Sequence, residues 1–188
     1  MQLADEEKRE LLRIARASIE EALKGHPPVE CSPEQESLRQ PCGVFVTLRQ
    51  QGELRGCIGY VEPRFPLSQA VAEVAMKSAF DDPRFAPLTP RELPSTEIEI
   101  SVLSPLSKVA NIDSIEIGLH GLVIDAGYTR GLLLPHVATE YLWDRRQFLD
   151  HTAIKAGLPP EIWRTDKVQI YSFTTTTFSE SELLQPHG

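Results

Sequence analysis

Basic residues are scarce in this chain: 19 lysines and arginines stand against 27 aspartates and glutamates, a formal net charge of −8. Nucleic acid and anionic lipid both select for an excess of positive charge. The balance therefore argues against either as a nonspecific partner, although a local basic patch would survive it. Long apolar runs are missing too. None approaches the roughly 20 residues that a membrane helix needs. The start of the chain, MQLADEEKRELLRIAR, is charged and helical in pattern rather than a signal peptide. The expectation is a cytoplasmic protein with no membrane partner. Cysteine is rare: Cys31, Cys42 and Cys57 are the whole complement. An odd count at loose spacing is no disulfide framework, and there is no close C-x-x-C pair for a structural zinc. Three free thiols and no metal site are expected. Phosphate loop, dinucleotide fingerprint and serine elbow are likewise absent, so no cofactor is expected.

What the chain does contain is a core. With 188 residues and 41% hydrophobic content it suits one compact domain, divisible into two lobes. Leu3 to Lys24 repeats apolar residues near the 3.6 period through Leu11, Leu12, Ala15, Ile19, Ala22 and Leu23, which predicts a helix. Gly25 and the prolines after it stop that helix, and residues 25–41 read as a loop. Gly43 to Leu48 is β-branched and aromatic, hence a strand. RQQGE then gives a hairpin loop, and Leu54 to Gly59 the returning strand. A helix is predicted over Leu67 to Phe80, ended by Pro83, which restricts Asp82. Thr96 to Leu103 alternates cleanly, a second hairpin centres on Gly127, and helical stretches follow at Val137 to Arg145 and Arg146 to Ala156. A turn of helix is expected at Pro159 to Trp163 and a closing strand at Lys167 to Phe173. Residues 179–188 read as a polar tail. Hairpins mixed with helices indicate α+β with a central antiparallel sheet flanked by helices.

The chemistry centres on ELRGCIGY, Glu53 to Tyr60. In an unbroken strand Arg55, Cys57 and Gly59 share one face, and Leu54, Gly56 and Ile58 the other. A guanidinium beside a thiol stabilises the thiolate, as a nucleophilic cysteine requires. Gly56 and Gly59 would let a ligand or another backbone approach. The plainer reading is equally concrete: Cys57 packs as a small hydrophobe and Arg55 pairs with a structural carboxylate.

A nucleophile needs a base, and the histidines are the first candidates. His120, between glycines in GLHGL, is placed where a side chain can be aimed into a cleft, or else bonds to its own loop. His26 and His187 read as solvated, and His151 lies in a surface-like run. His136 and Glu140 are four apart on one helical face, but two ligands do not make a metal site. Asp82 and Arg84 bracket Pro83. Asp82 suits a turn that accepts backbone hydrogen bonds, and Arg84 either a salt bridge or an anion site. Glu97 and Glu99 face away from the expected core. Trp143 and Trp163 are expected in the core.

In order along the chain, GVFVTL, LRGCIG, DPRF, ISVLS, HGL, GLLLP and KAGL with Trp163 resemble the AMMECR family, from about residue 3 to 180. The resemblance implies a single domain over 1–188 with two lobes, the larger holding both chain ends, and the LRGCIG hallmark near a cleft. The bacterial branch resembles the A component of a three-part system with a Memo-like protein and a radical S-adenosylmethionine protein, which makes those two the implied partners. The resemblance implies no reaction. Residue by residue, Arg55, Gly56, Cys57 and Gly59 fit the hallmark, Asp82, Arg84 and Phe85 the turn, and His120 with Gly121 the HGL element. His136 stands where glutamine is common. Ala153 stands where many members have cysteine, which removes a second thiol and any disulfide for Cys57 there.

Three functions remain open on these residues. The first is an accessory or binding module that holds a small molecule, a peptide or a partner surface around LRGCIG. The second is a Cys57-centred enzyme or modification factor, with His120 or a carboxylate moving protons. The third, RNA or nucleotide handling, is disfavoured by the acidic charge.

Overall fold

A computed structural model of the chain describes residues 3–31 and 33–184. The expected α+β architecture is present, with its strands in two antiparallel sheets flanked by helices rather than in one. The chain divides into two units, Met1–Leu103 with Thr176–Gly188, and Ser104–Thr175.

In the first unit, helix α1 (Asp5–Leu23) begins where the Glu7 carboxylate accepts the Ala4 backbone N–H. It ends at Gly25, whose φ of +81° a helix cannot continue through. The proline-rich loop is not structureless. It holds a short helix, α2 (Glu36–Arg39), because Leu38 is fully buried in the core. Strands β1 (Val44–Gln50) and β2 (Glu53–Tyr60) form the expected hairpin, turning on Gln51 and Gly52 at φ +53° and +85°. Helix α3 (Leu67–Phe80) and strand β3 (Thr96–Leu103) match their expected spans.

The second unit contains β4 (Ser107–Lys108), β5 (Gly121–Asp125), β6 (Arg130–Leu133), α4 (Pro135–Glu140), α5 (Arg145–Lys155) and β7 (Gln169–Phe173). The chain then returns to the first unit through β8 (Thr175–Ser179) and α6 (Glu180–Leu183). The polar tail is therefore partly structured. Glu180 pairs with Arg16 at 2.5 Å and accepts the Ile98 backbone N–H, which pins α6 in place. Residues 185–188 and the expectation for His187 lie outside the described residues.

The first sheet runs β2-β1-β3-β8, which makes β2 an edge strand. Val44, Val46 and Leu48 of β1 and Ile98, Ile100 and Val102 of β3 supply its core face. Helix α3 packs on β1 and β2, while α1 packs on α3 and β3. The other face carries rows of opposed residues. One is Cys57, Thr47 and Glu99, and the next is Gly59, Phe45 and Ser101. The second sheet runs β4-β7-β5-β6, and α5 lies against β5 and β6 over a core that includes Leu122, Ile124, Phe148 and Trp163. No helix among the described residues is long and apolar enough to cross a membrane.

Candidate functional site

A β-bulge shapes the hallmark strand. Arg49 pairs with Leu54 while Leu48 pairs with Gly56, so Arg55 has no partner across the hairpin. The alternation expected from sequence breaks at that point. Leu54 joins the face of Arg49 and is exposed, whereas Gly56 turns to the core face opposite Leu48. Arg55 leaves Cys57 for other partners. Its Nε donates to Glu92 Oε1 at 3.0 Å and its Nη2 to the Ala86 carbonyl at 2.8 Å. The Arg55 side chain is only 12% exposed, so this ion pair is largely shielded from solvent. The hydrogen bond from Arg55, with those from the Thr89 hydroxyl and N–H, pulls the Glu92 carboxyl down to about 2. Here the plainer reading of Arg55 is the one the geometry favours.

Arg84 supplies the guanidinium beside Cys57. Asp82, 4% exposed, organises it. Its Oδ2 accepts the Cys57 backbone N–H at 2.9 Å and Arg84 Nη2 at 2.7 Å, and its Oδ1 accepts Arg84 N and Nε at 3.1 and 3.0 Å. Arg84 Nη2 also donates to the Cys57 carbonyl at 3.3 Å. Both backbone groups of Cys57 are thus held by the turn Asp82-Pro83-Arg84. Hydrogen bonds from Arg84 hold the Asp82 carboxyl far below the ordinary carboxylate range, against the opposing effect of burial. The Phe85 ring lies within reach of both arginines, 5.9 Å from Arg55 Cζ and 5.5 Å from Arg84 Cζ.

The space at the two hallmark glycines belongs to the protein itself. A Cβ on Gly56 would stand 2.1 Å from the Ser78 carbonyl oxygen, and one on Gly59 would stand 2.3 Å from the Phe45 ring. Of the two approaches expected at these glycines, a ligand or another backbone, the second is what Gly56 meets. Gly56 admits the backbone of α3, and Gly59 admits an aromatic side chain. Close approach of α3 brings in Ser78, whose hydroxyl donates to the Val46 carbonyl at 2.8 Å and accepts the Ile58 N–H at 3.0 Å. One buried hydroxyl thereby bridges β1 and β2.

Cys57 itself is half-buried, and its sulfur accepts a hydrogen bond from Thr47 Oγ1 at 3.3 Å. Burial pushes its pKa up, and the Asp82 and Glu99 carboxylates push the same way. The Thr47 hydrogen bond and the Arg84 charge act against them without reversing the shift. At neutral pH the group is a thiol, not a thiolate. Cys31 and Cys42 are also free thiols raised by burial.

His120 lies in the second unit, where its Nδ1 accepts the Glu116 backbone N–H at 3.0 Å, so its ring is bonded to its own loop. His26 pairs with Glu21 on the surface of α1. His151 is not merely a surface residue: its ring stacks on Trp143 at 3.8 Å. Trp143 is half-buried rather than central, whereas Trp163 is in the core and donates its indole N–H to Asp150 at 2.7 Å. Among the described residues, no group of three or more His, Cys, Asp or Glu side chains is arranged to hold a metal ion.

Sequence reasoning therefore located Arg55, Cys57, Asp82 and Arg84, and missed Thr47, Ser78 and Glu92. Ser78 carried a signal, since it falls on the buried side of a predicted helix. Thr47 did not, because only the bulge sets it opposite Cys57.

The profile of the AMMECR1 family matches residues 12–178, a span that contains every residue of this site. The chain belongs to the AMMECR1 family. A protein of Methanothermobacter thermautotrophicus is 44% identical over 185 residues, covering 95% of this chain and 96% of the relative. Protein MK0488 of Methanopyrus kandleri is 42% identical, covering 92% and 87%. The AMMECR1 fold also matches the crystal structure of an uncharacterized protein, PH0010 from Pyrococcus horikoshii. The TM-score is 0.87 at 38% identity, covering 94% of this chain and 92% of that one.

Proposed function

We propose that the chain is a cytoplasmic accessory component that binds a ligand or partner around the LRGCIG strand, with Cys57 as a protonated, structural thiol. The observation that carries this reading is the setting of Cys57: its half-buried sulfur accepts from Thr47, and its backbone groups are held by Asp82 and Arg84. A group so constrained serves shape better than nucleophilic attack. The binding surface is centred on Arg84, whose side chain is about half exposed yet fixed at its inner edge by Asp82, and on the adjacent Phe85 ring. A guanidinium held in this way presents a planar, oriented charge to a small molecule or peptide. The Memo-like and radical S-adenosylmethionine proteins implied by the bacterial-branch resemblance are the protein partners this reading would pair it with.

Pull-down of those two proteins by wild-type, Cys57→Ala and Arg84→Ala chains tests the reading. Retained capture by Cys57→Ala with weakened capture by Arg84→Ala is expected. Loss of capture or of cellular function in folded Cys57→Ala would overturn it. That outcome would favour the alternative, a Cys57-centred enzyme, for which the Thr47 hydrogen bond and the Arg84 charge are the supporting observations, since both lower the thiol pKa.

A further inference from the structure

The C-terminal end of α4 displays apolar groups in a way that the fold does not require. Its cap follows a Schellman pattern: Trp143 N–H donates to the Ala138 carbonyl at 2.8 Å and Leu142 N–H to the Thr139 carbonyl at 3.2 Å. The left-handed residue of such a cap is ordinarily glycine, because a Cβ is disfavoured there. Here it is Leu142, at φ +55° and 89% exposed. The leucine gains nothing from the core and sits in a backbone conformation that suits it poorly. Glycine would serve the helix better.

The neighbours of Leu142 are organised. Tyr141, 63% exposed, stacks on Trp143 at 4.9 Å and 18°, and Trp143 stacks on His151 at 3.8 Å and 3°. Three near-parallel rings fix the tyrosine and leave much of it open to solvent. Ile117 and Leu119 add exposed apolar side chains from a turn that meets α4, where a Cβ on Gly118 would lie 3.0 Å from Thr139 Cγ2. Next to Tyr141, the exposed Glu140 carboxylate makes no ion pair or hydrogen bond among the described residues. It stands at the negative end of the helix. An exposed carboxylate and an open aromatic ring on consecutive residues are matched by a cation that can also stack, and a guanidinium does both.

We propose that this end of α4 is a docking surface for a protein segment that presents an arginine next to an apolar side chain. The arginine stacks on Tyr141 and pairs with Glu140, and the apolar side chain covers Leu142. The surface shares no residue with the Cys57 site, so the two proposals stand or fall separately.

The probe is the full chain titrated with N-acetyl-Leu-Arg-amide and with its neutral counterpart carrying citrulline, followed by Trp143 fluorescence and backbone amide shifts. Saturable shifts confined to residues 117–119, 140–143 and 151 are expected. Affinity should fall about fivefold with citrulline, and about as much with Glu140→Gln. Leu142→Gly is expected to raise Tm while weakening the peptide, a pairing that a merely structural leucine would not give. Equal response to both peptides, a lowered Tm with unchanged affinity, or a concentration-dependent dimer abolished by Leu142→Gly would each overturn the proposal. The dimer would assign the surface to a second copy of the chain.

Discussion

Asp82 Oδ2 accepts the backbone N–H of Cys57 at 2.9 Å across 25 residues of chain, and this bond joins the hallmark strand to the turn after α3. Replacing Asp82 by alanine removes that acceptor and releases Arg84 together. A loss of about 2 kcal/mol is expected, in line with hydrogen bonds to a charged group. Asp82→Asn should recover part of it, because the amide oxygen can still accept from Cys57. Urea titration of both variants measures the difference, and an Asp82→Ala protein as stable as wild type would show the link to be idle.

The hallmark glycines should rank by what lies beside them. Gly56→Ala drives a Cβ against the Ser78 backbone and should cost about 3 kcal/mol. Gly59→Ala meets the Phe45 ring and, at 2.6 Å, the Val44 carbonyl oxygen, and should cost about as much. At Gly52 there is open space but φ is +85°, so alanine there should cost about 1 kcal/mol. Thermal unfolding of the three variants checks the order.

Alkylation reports directly on the state of Cys57. Its pKa is displaced upward by burial, so labelling by iodoacetamide at neutral pH should be slow, and the rate should still be climbing above pH 9. Peptide mapping by mass spectrometry separates Cys57 from Cys31 and Cys42. Fast labelling at pH 7 would favour the nucleophilic reading.

Acid stability follows from Glu92 and Asp82. Both carboxyls bind a proton less readily in the folded chain than in the unfolded one. Their stabilisation is therefore complete above the ordinary carboxylate range and is lost as pH falls. For Glu92 the window runs from about 4.5 down to about 2, and Asp82 extends it lower. Tm should decline across that range. In Glu92→Gln the upper part of the decline should flatten, since the Arg55 pair no longer titrates.

Much of the first unit was legible because its periods are clean. Thr96 to Leu103 alternates strictly, and Leu67 to Phe80 carries an uninterrupted apolar stripe, so both were bounded correctly. The hairpin was legible from Gly52. What sequence could not give was the bulge. A two-residue turn with an unbroken ladder would set Thr47 opposite Gly56, whereas the structure sets it opposite Cys57. That one-residue slip decides which arginine accompanies the thiol. Short elements were also lost: α2 rests on a single buried leucine, and α6 on an ion pair from Arg16, neither of which leaves a local periodic trace.

The first sheet takes its last strand, β8, from beyond the second unit. During synthesis on a ribosome, residues 104–175 must therefore emerge before the edge of β3 can be covered. For that interval β3 is an open template for other chains. Glu97 and Glu99, set along its outer face, are negative charges at the place where such a waiting edge would otherwise recruit a stranger.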